Sequence, residues 1–289
     1  MNSLWHYDFV HHALLAGAIT AVVAGTIGPF VTLRNMSFAV HGLAEVGFTG
    51  AAGAIVLGFS PEAGLLGACF LAAAAFGALG VRLRERDVAI GSVLAFAIGL
   101  GVLFLSLYTR YATEAFTILF GSVLAVSRDD VIRSAAVGGA ALAALAVIAR
   151  PLRFASIDPE VAEARGVPVR HLSTIFLLVL ALAVSITIQV VGVLLILTLV
   201  ITPAGAAQRL TLHPGRIILY SVLIALGATL GGIVCAVYTS LPPSFFVSAL
   251  SLGAYLGARW LSPIQRRDGR AEALRPDVVR TERNGGRGA

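Results

Sequence analysis

Residues 38–50 read FAVHGLAEVGFTG, and within this apolar run His41 and Glu45 stand four positions apart. On a helix that spacing stacks both side chains on one face, about 6 Å apart along the axis. An imidazole and a carboxylate so placed can neutralise each other while bridging helices. They can relay a proton, because imidazole titrates near neutral pH. They can also ligate a passing divalent cation of the zinc, manganese or iron type. Two ligands do not complete a metal site, so water or a second copy of the chain must supply the rest. A carboxylate in such surroundings costs about 3 kcal/mol unless it is paired, protonated or wetted.

The elements that must hold this pair are membrane helices. The chain has 289 residues, 58% of them hydrophobic and only 12% charged, half the charge of an ordinary soluble domain. Apolar runs of bilayer-spanning length fall at 10–33, 38–59, 62–81, 88–108, 131–149, 171–188, 191–208, 216–237 and 243–260. Only helices satisfy every backbone group of such segments within the bilayer. The sequence therefore predicts an all-α polytopic membrane protein of eight to nine transmembrane helices. The membrane domain spans 1–261 and an Arg-rich tail of 262–289 follows, whose composition predicts disorder. Glu45 is the one acidic residue well inside any of these spans. Counted from Met36, it lies about 13 Å in, near the midplane of a ~30 Å core.

Charge fixes an orientation. All 21 basic residues are Arg. If 150–170 faces the cytoplasm, eighteen of them fall in inside segments, and only Arg110, Arg128 and Arg133 fall outside. That asymmetry places the C-terminus inside and accounts for the net charge of +6 without nucleic acid. The absence of Lys excludes a P-loop, so any ATP chemistry must belong to another chain. Cys69 and Cys235 lie in separate spans and form no CxxC pair; with only two Met, the composition disfavours Cu(I) handling. The first apolar run lacks a basic leader and reads as a retained span. His11 and His12 lie at its outer end, whereas His171 and His213 fall in cytoplasmic loops. Gly17, Ala21 and Gly25, and likewise Gly227 and Gly231, stand at helix-packing spacing. The segment 110–130 is apolar in part but too short to span, and reads as an outer capping or re-entrant helix.

A second stretch, RPLRFASIDPEVAEARGVPVRH from Arg150 to His171, carries its own signals. Asp158, Pro159 and Glu160 read as N-cap, N1 and N2 of a helix. Gly166 and Pro168 read as its stop. The helix between them is barely two turns long, too short to persist without support. Such an element, carrying Val161 and Ala162 and joining two spans, suits a membrane subunit that receives force from a soluble motor.

This segment resembles the coupling segment of metal-ion ABC importer permeases, the zinc/manganese/iron family called ABC-3. LFGSVLAVSRDDV and VVGVLLILTLVITPAGAAQRL are similar to further family stretches in the same order. The resemblance covers nearly the whole chain. It implies a non-catalytic permease working as a homodimer in the cell (inner or plasma) membrane. Its partners would be an ABC ATPase subunit and an extracytoplasmic metal-binding protein. The chain itself would hold no cofactor, and a divalent metal ion would be its cargo. Asp158, Pro159, Glu160, Val161, Ala162 and Gly166 would then dock the ATPase, with His41 and Glu45 as transient metal ligands. The family usually places an Asp four residues before a His in this span; here the order is reversed, with Glu for Asp. A proton-coupled secondary transporter using His41 and Glu45 as a relay is the rival class, although no inverted repeat is visible. An intramembrane metalloenzyme is disfavoured by the lack of HExxH.

Overall fold

The computed structural model describes residues 8–79, 83–107, 126–239 and 241–262. Among the described residues there are ten α-helices and no strand. They are α1 (Asp8–Leu33), α2 (Ser37–Val56), α3 (Pro61–Leu79), α4 (Leu83–Leu107), α5 (Arg128–Ile157), α6 (Pro159–Ala164), α7 (Val169–Val191), α8 (Ile196–Leu210), α9 (Pro214–Thr239) and α10 (Pro243–Leu261). A single 3₁₀ turn, Val193–Leu195, leads into α8.

Seven of these helices, α1 to α5, α7 and α9, are long and apolar enough to cross a bilayer. With α8 and α10 they account for the nine apolar runs of the sequence. α8 has only 15 residues, about 22 Å of helix. The close pair 171–188 and 191–208 is therefore two helices, parted by Gly192 at φ 92°.

Burial separates a core from a rim. In the apolar windows of α1, α2 and α7, 67%, 67% and 72% of residues are buried, against 28%, 22% and 22% in α3, α4 and α5. α1 packs on α9, α8, α5 and α7, while α2 is held between α3 and α4. The apolar surface left on the rim helices is what a lipid-facing surface requires, since lipid is as apolar as Leu.

Close helix approach explains much of the glycine placement. A Cβ on Gly28 would lie 2.1 Å from the Val200 carbonyl oxygen of α8, and one on Gly25 would lie 2.7 Å from Val222 Cα of α9. Gly17 likewise faces Thr229 and Ile233. The predicted packing role of the α1 glycines is thus met. Gly231 faces Leu250, but Gly227 has no atom within 4 Å of its Cβ position, so among the described residues of this chain its spacing carries no packing role. A crossing that spacing did not reveal joins α2 to α3, where Gly50 and Gly64 meet backbone to backbone.

Two of the sequence stretches become local devices. The SRDD of LFGSVLAVSRDDV is a capping box on α5. The Asp130 N–H donates to Ser127 Oγ at 3.2 Å, and the Ser127 N–H donates to Asp130 Oδ2 at 3.0 Å. One turn on, Arg133 donates to Glu62 Oε2 at 2.6 Å and ties α5 to the start of α3. Both partners are well exposed, so this pair contributes at most about 1 kcal/mol. Most of the segment 110–130 lies outside the described residues, as does the tail 263–289.

Candidate functional site

His41 and Glu45 sit on α2, the helix wedged between α3 and α4. Glu45 is the ninth of its 20 residues, near the middle of the helix. Both side chains are half-buried. Neither makes a hydrogen bond or ion pair with another described residue. The self-neutralising bridge, one of the three chemistries open to this pair, is therefore not formed. Among the described residues no group of three or more His, Cys, Asp or Glu could hold a metal ion. The two side chains stand one turn apart on one helix face, without a polar partner among the described residues.

The helix face bearing them is held by a neighbour. Thr49, one turn beyond Glu45, donates from Oγ1 to the Ala97 carbonyl of α4 at 2.7 Å. Farther out, α2, α3 and α4 enclose a groove of about 570 Å³. Its lining is apolar apart from Thr49 and Ser60 and includes neither His41 nor Glu45. A divalent cation finds no ligand there, and the groove has the chemistry of a hydrocarbon contact.

The remaining candidate ligands lie apart. His11 and His12 occupy the first two turns of α1, exposed and half-buried respectively. His171 is exposed near the start of α7 and His213 is exposed just before α9. Cys69 is buried, its Sγ 3.4 Å from the Leu43 carbonyl, and both cysteines are free.

The second candidate element is α6. Asp158 caps it in the manner read from the sequence, its Oδ1 accepting from the Val161 N–H at 3.0 Å, and Pro159 is at N1. The chain leaves the helix through Gly166 at φ 83°, a left-handed conformation that suits glycine. Asp158, Pro159, Glu160, Val161, Glu163 and Ala164 are exposed. Ala162 is not: it is fully buried within its own chain. The expectation that Ala162 reaches a partner is corrected here, because its methyl group is spent on seating α6 against the bundle. A cleft of about 330 Å³ runs beside the helix, lined by Glu163, Gly166, Pro168, Arg170 and His171.

A short capped helix projecting between two membrane-length helices is the geometry expected of a transport permease, and comparison with known proteins agrees. The family model for the ABC 3 transport family matches residues 6–262. The chain belongs to the ABC 3 transport family. Among related members, the manganese transport system membrane protein MntC of Listeria innocua is 32% identical over 235 residues, covering 80% of this chain and 83% of that protein. The manganese import system permease protein ScaB of Streptococcus gordonii is 28% identical over 275 residues, covering 92% and 96%. The fold matches that of PsaBC from Streptococcus pneumoniae, solved in complex with Fab. The TM-score is 0.82 at 26% identity, with 92% of this chain and 96% of that one covered. This ABC 3 member is thus an all-α, multi-pass ABC transporter permease.

Sequence reasoning missed two features of the site, Thr49 and the seating role of Ala162. The helical spacing of Thr49 from Glu45 was a usable signal, but its acceptor on α4 lies 48 positions away and no local pattern announces it.

Proposed function

We propose that the chain is the membrane-spanning subunit of an ATP-driven importer of divalent metal ions, with manganese the favoured cargo. The observation that carries the reading is α6, an Asp158-capped helix whose exposed face stands between α5 and α7 as a docking knob. The manganese names of the relatives favour that cargo, and an imidazole–carboxylate pair suits Mn²⁺ as a borderline-to-hard ion. Two copies of the chain assemble, two ATPase subunits seat on the α6 helices, and an extracytoplasmic binding protein delivers the ion to the opposite face. The α6 end and the C-terminus face the cytoplasm, in keeping with the arginine asymmetry.

In this scheme His41 and Glu45 are transient ligands and water or the second copy completes the shell. Transient ligation suits transport, because an ion held by a closed set of protein ligands would not leave. The chain hydrolyses nothing. It converts motion at α6 into a change of access along α2.

The test is reconstitution of the permease with its ATPase in proteoliposomes, with uptake of manganese, zinc and iron measured against ATP hydrolysis. Metal content of a deletion strain grown under limitation for each metal in turn supplies the cellular counterpart. ATP-dependent manganese accumulation is the expected result. Uptake driven by a proton gradient without ATP would overturn the reading in favour of the relay.

A further inference from the structure

We propose that Arg34 is the positioning residue that carries movement of α6 into the helix bearing His41 and Glu45. The inference rests on the reading of α6 as the ATPase-docking helix. Arg34 lies in the three-residue turn between α1 and α2. That turn is tightly made: Asn35 adopts φ 52°, and the Met36 N–H donates to the Val31 carbonyl at 2.9 Å while its side chain is buried.

From this turn the guanidinium reaches two other helices. Nη1 donates to Ser156 Oγ at 3.1 Å, and Nη2 donates to Ser173 Oγ. Ser156 is two residues before Asp158, on the last turn of α5. Ser173 is on the second turn of α7, just past the Gly166 exit. The two hydroxyls are therefore on the two legs that carry α6. Each hydroxyl donates its own proton along its own helix, Ser156 to the Leu152 carbonyl and Ser173 to the Val169 carbonyl. Their lone pairs are what remains, and these suit a cation. The Cζ also sits 6.0 Å from the centre of the Phe176 ring on α7, at the outer limit of a cation–π contact.

A planar fork with two donors is needed for this. Lys is a single point charge and does not bridge two acceptors on two helices in fixed geometry. The fork holds the legs of α6 at a set separation and ties both to a turn three residues ahead of α2. A thrust on α6 that parts or tilts α5 and α7 therefore pulls on the α1–α2 turn. Met36 and the first turn of α2 move with it, five residues before His41. Ala162, buried against the bundle, keeps α6 from absorbing the thrust alone.

The test uses the full complex with wild-type ATPase and binding protein. The wild-type complex is measured first: absence of ATP-driven uptake there refutes the importer reading and not this one. Arg34→Lys and the double variant Ser156→Ala/Ser173→Ala are then compared for assembly, basal hydrolysis and metal moved per ATP hydrolysed. The expected result is normal co-purification with the ATPase, hydrolysis within about twofold of wild type, and transport per ATP reduced about tenfold in both. A double variant with an unchanged ratio overturns the proposal, whatever Arg34→Lys does. Loss of yield or melting temperature with an unchanged ratio, or failure of both variants to assemble, marks a purely structural staple and overturns it too.

Discussion

Thr49 Oγ1 lies 2.7 Å from the carbonyl oxygen of Ala97, joining α2 to α4 one turn from Glu45. The same hydroxyl is 3.1 Å from the carbonyl of Glu45 itself, and a Cβ on the facing Gly101 would come within 3.0 Å of it. The face of α2 that carries the carboxylate is therefore clamped to α4 by one hydroxyl. Thr49→Val keeps the shape and removes the donor. The loss of about 1 kcal/mol is expected to weaken apparent metal affinity severalfold while leaving yield unchanged. Uptake measured across metal concentrations checks it, and an unaltered concentration dependence would show that the clamp does not position the site.

Glu45→Gln removes the one mid-span carboxylate with little change in shape. Because no ion pair with a described residue is broken, folding should survive and uptake should fall at least about tenfold, in proportion to a lost ionic ligand. His41→Ala should also be inactive. The exchange His41→Asp with Glu45→His restores the residue order usual in the family. Transport recovered in the exchange but in neither single variant would establish a shared ligand role. Normal transport by Glu45→Gln would remove the pair from the pathway.

The α6 variants separate seating from docking. Ala162→Asp buries a charge within the chain, at a cost of several kcal/mol, and is expected to lower permease yield. Val161 is 43% exposed, so Val161→Asp should leave the permease intact and reduce co-purification with the ATPase. Gly166→Val meets no neighbouring atom yet forces a β-branched residue to φ 83°, costing roughly 1–3 kcal/mol. It should fold with a displaced α6 and hydrolyse ATP unproductively. Full transport by both Val161→Asp and Gly166→Val would reduce α6 to a connecting turn.

Two glycine substitutions test the packing. Gly28→Ala drives a methyl group into the Val200 backbone, so a loss of roughly 1–3 kcal/mol and a lower melting temperature in detergent are expected. Gly227→Ala meets open space and should be neutral or slightly stabilising, since alanine is the better helix former. Equal effects of the two would mean that α1 does not approach α8 as closely as described.

What the sequence disclosed and what it concealed divide along the chain's own range of interaction. α6 was legible to the residue because Asp158, Pro159 and Gly166 act on the backbone beside them. The spans were legible because every one must be apolar over its own length. The α1 glycines were legible because they repeat along one face, yet Gly227 repeats in the same way and touches nothing. Spacing records the possibility of close approach, whereas only a partner decides it. The partners of Arg34 are 122 and 139 positions away, and two serines among many carry no mark of that pairing. Ala162 was grouped with the residues that dock the ATPase because so short a helix gives no periodicity from which to tell the side that its own chain buries.

The reversal between α7 and α8 has a practical consequence for anyone counting strokes across the bilayer. Val190, Val191, Val193 and Leu195 are each at most 5% exposed, whereas Leu57 and Phe59, in the turn between α2 and α3, are 71% and 69% exposed. A reporter fusion or a single-cysteine label will announce the α2–α3 hairpin and stay silent at residues 190–195, where an epitope insertion will instead destroy the fold. Topology mapping by such reagents will come out two crossings short, and it will do so because that hairpin turns inside the protein and not because the helices are missing.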